Sequence, residues 1–177
     1  NLGADHVLQF TFDVETGHLA PIGSGFVNTP EKTGPRHLAF SPDGRFLFVV
    51  GEMSGTVTGY SIAADTGALT EVGMASGIPQ NLGLAHGEVR DASNNNLAND
   101  PTRRIWAADL RISPDGKLLY MTERTTSSVS AFSIDHTNGR PTFIGNYPVK
   151  EQQPRNIAFS PNGKWLIVTG EKSSEVG

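Results

Sequence analysis

The sequence predicts an all-β chain built from the four-stranded antiparallel blades of a β-propeller. A turn of the form Ser-Pro-Asp/Asn-Gly occurs three times, at residues 41–44, 113–116 and 160–163, each time between two short apolar runs. The same larger pattern of strands and turns returns at a spacing near 50 residues. Proline and glycine suit tight turns, and a period of this length is typical of propeller blades.

The Ser-Pro-Asp/Asn-Gly segments are interpreted as hairpin turns. A Ser-Pro-Asp start is also found where a helix begins, so a helix is the alternative. However, residues 46–50 and 165–169 that follow two of these turns are β-branched and aromatic runs without a helical period. We therefore predict a strand on either side of each turn.

The other strands follow from alternation of apolar and polar residues. Residues 6–12 alternate in this way, and a turn at 13–17 leads to a second strand that begins at Leu19. The same pair returns at 56–69 and again at 128–139. The valines that begin this pattern are spaced by 50, 72 and 47 residues, and they are Val7, Val57, Val129 and Val176.

One blade is predicted to have strands at residues 37–41, 46–50, 56–62 and 69–73. The chain then divides into the second half of a blade (1–33), a full blade (34–76), an insert loop (77–103), a full blade (104–152) and the first half of a blade (153–177). A β-sandwich fits less well, because it gives no reason for three copies of one pattern. The insert is rich in Asn, Ser and Asp and is interpreted as a long surface loop.

About three blades are too few for a closed ring, which takes roughly 4–8. We therefore expect a fragment of a longer protein, completed by the remaining blades of the same protein or, as an alternative, by a second copy. The formal net charge is −4, which argues against a nucleic acid or an anionic membrane surface as partner. There is no cysteine, the five histidines show no metal-ligand spacing, and no cofactor is expected. No leader or membrane span is recognised, and the localisation stays open.

Candidate site residues gather on the face opposite the Ser-Pro-Asp/Asn-Gly turns. This face collects the segments before each inner strand and the loops between second and third strands. Its residues are charged or aromatic and differ from blade to blade, whereas a purely structural turn would repeat. They are Arg36, His37, Glu52, Trp106, Asp109, Glu123, Arg124, Arg155, Glu171 and Lys172.

These segments closely resemble the propeller-type 6-phosphogluconolactonase family, which includes carboxymuconate-cyclising enzymes. The resemblance lies in residues 34–37, 104–109, 123–125, 153–155 and 170–173, with Trp-Ala-Ala-Asp and Gln-Pro-Arg as the specific parts. Glu123 departs from the Asp that many members carry, but it keeps the carboxylate. The resemblance implies a seven-bladed propeller, a cytoplasmic protein, and cofactor-free hydrolysis of a sugar δ-lactone bearing a phosphate.

That reaction needs cations for the phosphate, a donor for the oxyanion and a base that activates water. We expect Arg36, Arg124 and Arg155 to bind the anion, with Lys172 behind them. His37 or Glu52 is expected to be the base. The remaining roles are orientation of a neighbour by Asp109, packing against the substrate ring by Trp106, and further substrate contacts by Glu123 and Glu171.

Alternatives remain at this stage. The Arg–Glu pairs are also explained as salt bridges at blade junctions, and His37 as a hydrogen-bonded core residue. A cycloisomerase acting on a polycarboxylate would use the same cations, and a propeller that only binds a ligand or partner would need no base. The isolated chain is expected to be inactive, because part of the site would be missing.

Overall fold

The computed structural model describes residues 1–89, 97 and 100–174. Within these residues the strands form four antiparallel sheets, and the prediction of an all-β partial propeller is confirmed. Two sheets have four strands and two have two strands. The middle of the insert and Val176, the last valine of the repeat, lie outside the described residues. In the described part of the chain, no helix is long and apolar enough to cross a membrane.

The strands follow one another as meanders. The N-terminal hairpin pairs β1 (His6–Phe12) with β2 (Leu19–Asn28). The first four-stranded sheet contains β3 (Pro35–Phe40), β4 (Phe46–Gly51), β5 (Thr56–Ile62) and β6 (Leu69–Ser76). The second contains β7 (Ala107–Ile112), β8 (Leu118–Glu123), β9 (Ser128–Ile134) and β10 (Pro141–Pro148). The C-terminal hairpin pairs β11 (Pro154–Phe159) with β12 (Leu166–Gly170), and one 3₁₀ turn spans Gln80–Leu82.

Side-chain hydrogen bonds explain the repeated Ser-Pro-Asp/Asn-Gly turn. In the first copy the Ser41 hydroxyl donates to Asp43 at 2.7 Å and accepts the amide of Phe46 at 2.9 Å. Gly44 has a φ of 71°, which favours glycine. The Ser41 hydroxyl and the Arg45 guanidinium hold the pKa of Asp43 well below its usual range. The turn therefore repeats because its geometry requires these residues.

The hydrophobic core lies between the stacked sheets. All six residues of β4 are buried, because both faces of this strand are covered. Leu47 and Val49 pack with Val7 towards the N-terminal hairpin, whereas Phe48 packs with Leu119 towards the second four-stranded sheet. A strand covered on both faces has an uninterrupted apolar sequence, which is why residues 46–50 show no alternation.

Apolar side chains are exposed on the inner strand of the first four-stranded sheet and on the C-terminal hairpin. Leu38 of β3 is 46% exposed, whereas Leu110 and Ile157, which occupy the same position in β7 and β11, are at most 1% exposed. Trp165 and Ile167, beside and within β12, are 68% and 42% exposed. Each of these positions has the character of a surface that packs against a neighbouring sheet.

The two four-stranded sheets are in close contact at a turn. Gly139, between β9 and β10, has a φ of 76°, and a Cβ placed there would lie 2.2 Å from Cδ1 of Phe46. Its carbonyl oxygen would lie 2.8 Å from a Cβ placed on Gly59. Gly17, in the matching turn of the N-terminal hairpin, has a φ of 74° but open space around it.

We predict that Gly139→Ala destabilises the protein more than Gly17→Ala. Both substitutions force alanine into the left-handed region, at about 1 kcal/mol. Gly139→Ala also displaces Phe46 from the core, which adds about 2 kcal/mol of overpacking. The free energy of unfolding, measured by urea denaturation, compares the two variants. Equal losses would contradict the close approach of the two sheets.

Candidate functional site

The candidate site lies where three inner strands begin side by side. These strands are β3, β7 and β11, one from each of three consecutive sheets. The repeat aligns His37, Asp109 and Asn156 at one position of these strands, and it aligns Arg36, Ala108 and Arg155 at the position before. The chemistry of this face therefore differs between sheets, although the backbone repeats.

Asp109 is the buried centre of the group, with no exposed surface. Its Oδ1 accepts hydrogen bonds from the amide of Leu110 at 2.8 Å and from Nη1 of Arg111 at 2.9 Å. Its Oδ2 accepts the amide of Ile157 in β11 at 2.9 Å. Both oxygens are satisfied, as a buried carboxylate requires, and the side chain joins two neighbouring sheets.

His37 lies on the open side of Asp109. Its Nδ1 is 3.5 Å from Oδ1 of Asp109, and its side chain is 41% exposed. Partial burial lowers the pKa of His37 below its ordinary 6.5, and the charges of Arg36 and Arg111 lower it further, while Asp109 opposes them. His37 is therefore neutral at pH 7, and Nε2, on the far side of the ring from Nδ1, is turned away from Asp109.

Glu52 bridges two sheets through arginine. Its Oε2 lies 3.0 Å from Nε of Arg36, and its Oε1 contacts Nη2 of Arg124. Arg36 also donates from Nη1 to the carbonyl oxygen of Ala108 at 2.8 Å. The Glu52 side chain is only 12% exposed, so both of its oxygens are engaged in a largely buried network.

Glu123 and Trp106 complete this network. Glu123 is fully buried, and its Oε1 accepts the amide of Trp106 at 2.9 Å. Its Oε2 accepts the amide and the hydroxyl of Thr126, both at 2.7 Å. Arg124 donates from Nε to the carbonyl oxygen of Trp106, with its guanidinium carbon 5.9 Å from the centre of that ring. The loop between β8 and β9 is thus held in place by buried charges.

The remaining predicted residues lie apart from this network. Arg155 pairs with Glu171 at 2.9 Å, and the two side chains are 51% and 43% exposed. Lys172 lines an open cavity of about 240 Å³ together with Lys150 and Glu151. Among the described residues, no hydrogen bond or ion pair joins these side chains to His37, Glu52 or Asp109. Arg155, Glu171 and Lys172 therefore form an exposed charged region outside the buried network.

Arg111 was not among the residues selected from the sequence. It occupies the position that alanine holds in the other inner strands, Ala39 and Ala158. Its side chain is 36% exposed and contacts Asp109 beside His37. The substitution of arginine for alanine within a repeat was the available signal. The signal is weak in the sequence, because Arg111 lies only two residues before the repeated turn and belongs to the same repeated segment.

We predict that Asp109→Asn lowers the free energy of unfolding by about 3 kcal/mol, as for other broken buried charge pairs. Both carboxylate oxygens accept backbone amides, so the new NH₂ group must face a donor in either orientation. Asp115→Asn is the control, because that side chain is 56% exposed in a turn. Urea denaturation of both variants measures the difference, and a loss for Asp109→Asn no greater than for the control would contradict this assignment.

The whole chain resembles known proteins. The family model described as "Lactonase, 7-bladed beta-propeller" matches residues 1–177. The chain is 30% identical over 176 residues to a 6-phosphogluconolactonase of Serratia proteamaculans, covering 99% of this chain and 47% of the relative. It is 33% identical over 161 residues to a 6-phosphogluconolactonase of Pectobacterium carotovorum, covering 91% and 42%. The chain thus spans about half the length of these curated relatives.

Solved structures give the same picture. The periplasmic gluconolactonase of Pseudomonas aeruginosa superimposes with a TM-score of 0.79 at 28% identity, covering 99% of this chain and 44% of that structure. A protein from Lactobacillus plantarum superimposes with a TM-score of 0.80 at 26% identity, covering 99% and 45%. The match over residues 1–177 includes every strand described above. The chain therefore belongs to the seven-bladed β-propeller lactonase family.

Proposed function

We propose that the protein carrying this chain is a lactone hydrolase that resembles 6-phosphogluconolactonase and acts on a phosphorylated sugar δ-lactone. The observation that carries the proposal is a neutral, half-exposed His37 in contact with a buried carboxylate and flanked by Arg36 and Arg111. Such a group combines a base with positive charge for an anionic substrate. The names of the relatives support the same chemistry.

His37 is the proposed general base. Its Nε2 takes a proton from water as the water oxygen attacks the lactone carbonyl carbon, and the carbonyl electron pair moves to oxygen. When that intermediate collapses, the carbonyl re-forms, the bond to the ring oxygen breaks, and the ring oxygen takes the proton from the imidazolium. One lactone and one water thus give one hydroxy acid. Asp109 positions the ring through Nδ1 and stabilises its charged form.

Glu52 is proposed as a positioning residue rather than the base. Both of its oxygens contact arginine, so neither oxygen is free to contact a water molecule at the substrate. It holds Arg36 next to His37, which keeps a cation beside the proposed reaction centre. Arg124 and Glu123 hold Trp106, whose ring is proposed to form a wall of the substrate cleft.

Arg155 is the proposed phosphate contact. It is the arginine of this face with the largest exposed fraction, and Glu171 fixes its orientation from one side. A guanidinium forms paired hydrogen bonds to phosphate oxygens, and an exposed group can do so without breaking a buried network. Lys172, in the neighbouring cavity, adds positive charge at longer range.

Turnover is proposed to need more of the propeller than this chain contains. The chain spans about half the length of its curated relatives, and Leu38 in the first four-stranded sheet and Trp165 beside the C-terminal hairpin expose apolar surface. Lactone hydrolysis by the 177-residue chain alone, at the rate of the full-length protein, would refute this requirement.

We predict that His37→Gln lowers kcat/KM for a phosphorylated sugar δ-lactone by about 100-fold or more, the usual worth of a general base. The lowered pKa of His37 places the loss of the neutral base below pH 6.5, so wild-type activity falls only as the pH drops through that lower range. Both effects are measured as kcat/KM of the full-length protein at a series of pH values.

The matched control is His18→Gln, an exposed histidine in the N-terminal hairpin, which we expect to keep full activity. Turnover of the His37→Gln variant at the wild-type rate would rule out this base. A parallel assay with a carboxymuconate distinguishes a cycloisomerase, and ligand binding without turnover by the wild type would indicate a propeller that only binds.

A further inference from the structure

Arg111 has no counterpart in the packing of the other sheets. The inner strands β3 and β11 carry Ala39 and Ala158 at its position, and both strands form with the same register as β7. A long charged side chain is therefore not needed to build this part of the fold. Its presence in β7 alone, the strand that also carries Asp109, points to a local role.

Arg111 and His37 meet at a single atom. Nη1 of Arg111 lies 2.9 Å from Oδ1 of Asp109, and Nδ1 of His37 lies 3.5 Å from that same oxygen. The two side chains come from neighbouring sheets, and Asp109 keeps them side by side. The ring of one small substrate could therefore contact both Arg111 and His37.

The guanidinium of Arg111 keeps unused donors. Its hydrogen bonds to protein leave from Nη1, to Asp109 and to the carbonyl oxygen of Leu110. Across the described residues, Nε and Nη2 of Arg111 donate to no protein atom, although a guanidinium has five N–H groups. Arg124, by contrast, is 92% buried and bound to Glu52 and to Trp106.

The positive charge of Arg111 is only partly neutralised. Asp109 is the acidic partner of Arg111, and its one negative charge is shared with two backbone amides and with His37. The charge of Arg111 is also felt at His37, whose pKa it helps to lower. A half-exposed cation beside a neutral base is suited to meet negative charge that appears during a reaction.

We propose that Arg111 donates to the lactone carbonyl oxygen and stabilises the oxyanion that forms when water attacks. This inference rests on the hydrolysis proposed above and adds the donor that His37 and Asp109 do not supply. The electron pair of the carbonyl moves onto this oxygen, Arg111 holds it, and the pair returns as the ring C–O bond breaks. No proton is transferred from Arg111.

The test compares Arg111→Gln with Arg111→Lys in the full-length protein. Removal of an oxyanion donor lowers kcat by about 100-fold, with KM nearly unchanged, for a lactone with the phosphate and for one without it. Arg111→Lys keeps the charge without the fork and recovers about ten-fold of this loss. The acidic limb of the pH profile moves to higher pH in Arg111→Gln, because a cation beside His37 has been removed. Arg45→Gln, on the opposite face, is the control and leaves kcat unchanged.

Two outcomes would overturn the proposal. One is a kcat in Arg111→Gln equal to that of Arg45→Gln. The other is a rise in KM confined to the phosphorylated lactone, which would make Arg111 a phosphate contact instead. Urea denaturation of the same variants checks that Arg111→Gln is folded. If only Arg111→Lys folds, a kcat equal to that of the wild type would equally refute the role.

A binding measurement separates this proposal from the proposed function. The carboxylate of gluconate, a hydrolysis product, places an oxygen where the oxyanion would lie, whereas glucitol has no carboxylate. By calorimetry we expect Arg111→Gln to lower the affinity for gluconate about ten-fold, as for a lost charged hydrogen bond. The affinity for glucitol should stay unchanged. Equal gluconate affinity, or none in the wild type, would refute the role of Arg111. Wild-type turnover independently decides whether the protein hydrolyses lactones.

Discussion

The buried carboxylate of Asp109 is the interaction on which the site depends. A charge without solvent is tolerated only when its oxygens are fully hydrogen-bonded, and here amides from β7 and β11 and a guanidinium meet that need. The same bonds fix the distance between neighbouring sheets. Stability and site geometry are therefore set by one side chain, and the orientation of His37 follows from it.

The charges of this face follow a rule across the repeat. Where the inner strand carries Arg, as at Arg36 and Arg155, the equivalent loop carries Glu, as at Glu52 and Glu171. The second four-stranded sheet departs from this arrangement, with the neutral Ala108 on the inner strand and Arg124 in the loop. Glu52 is consequently shared between two arginines: its pair with Arg36 lies within the first four-stranded sheet, and its pair with Arg124 joins that sheet to the second. The Glu52–Arg124 pair thus links two neighbouring blades at their inner ends, in addition to the apolar core between them.

Much of the fold could be predicted from the sequence, because its determinants are local. The turn at 41–44 and the apolar strand at 46–50 can each be recognised from a few consecutive residues. The repetition of the pattern along the chain strengthens the prediction. The candidate site could be predicted only as a face with a set of charged positions, since that requires only the order of strands, and Arg155, Glu171 and Lys172 lie apart from the other predicted side chains. Its internal contacts were not, because Asp109, His37 and Ile157 belong to three sheets and no local pattern relates them. Arg111 shows the same limit, because its proposed role depends on its position beside His37, which belongs to another sheet.

The bond from Ile157 to Asp109 has a consequence for hydrogen exchange. Inner strands form the edge of each sheet, so half of their amides face away from the ladder and would exchange with solvent. The amide of Ile157 is instead held by a carboxylate that belongs to the adjacent sheet. Its deuterium uptake reports whether Asp109 is in place, with no substrate needed. One backbone proton in β11 is thus a natural probe of the order of the neighbouring site.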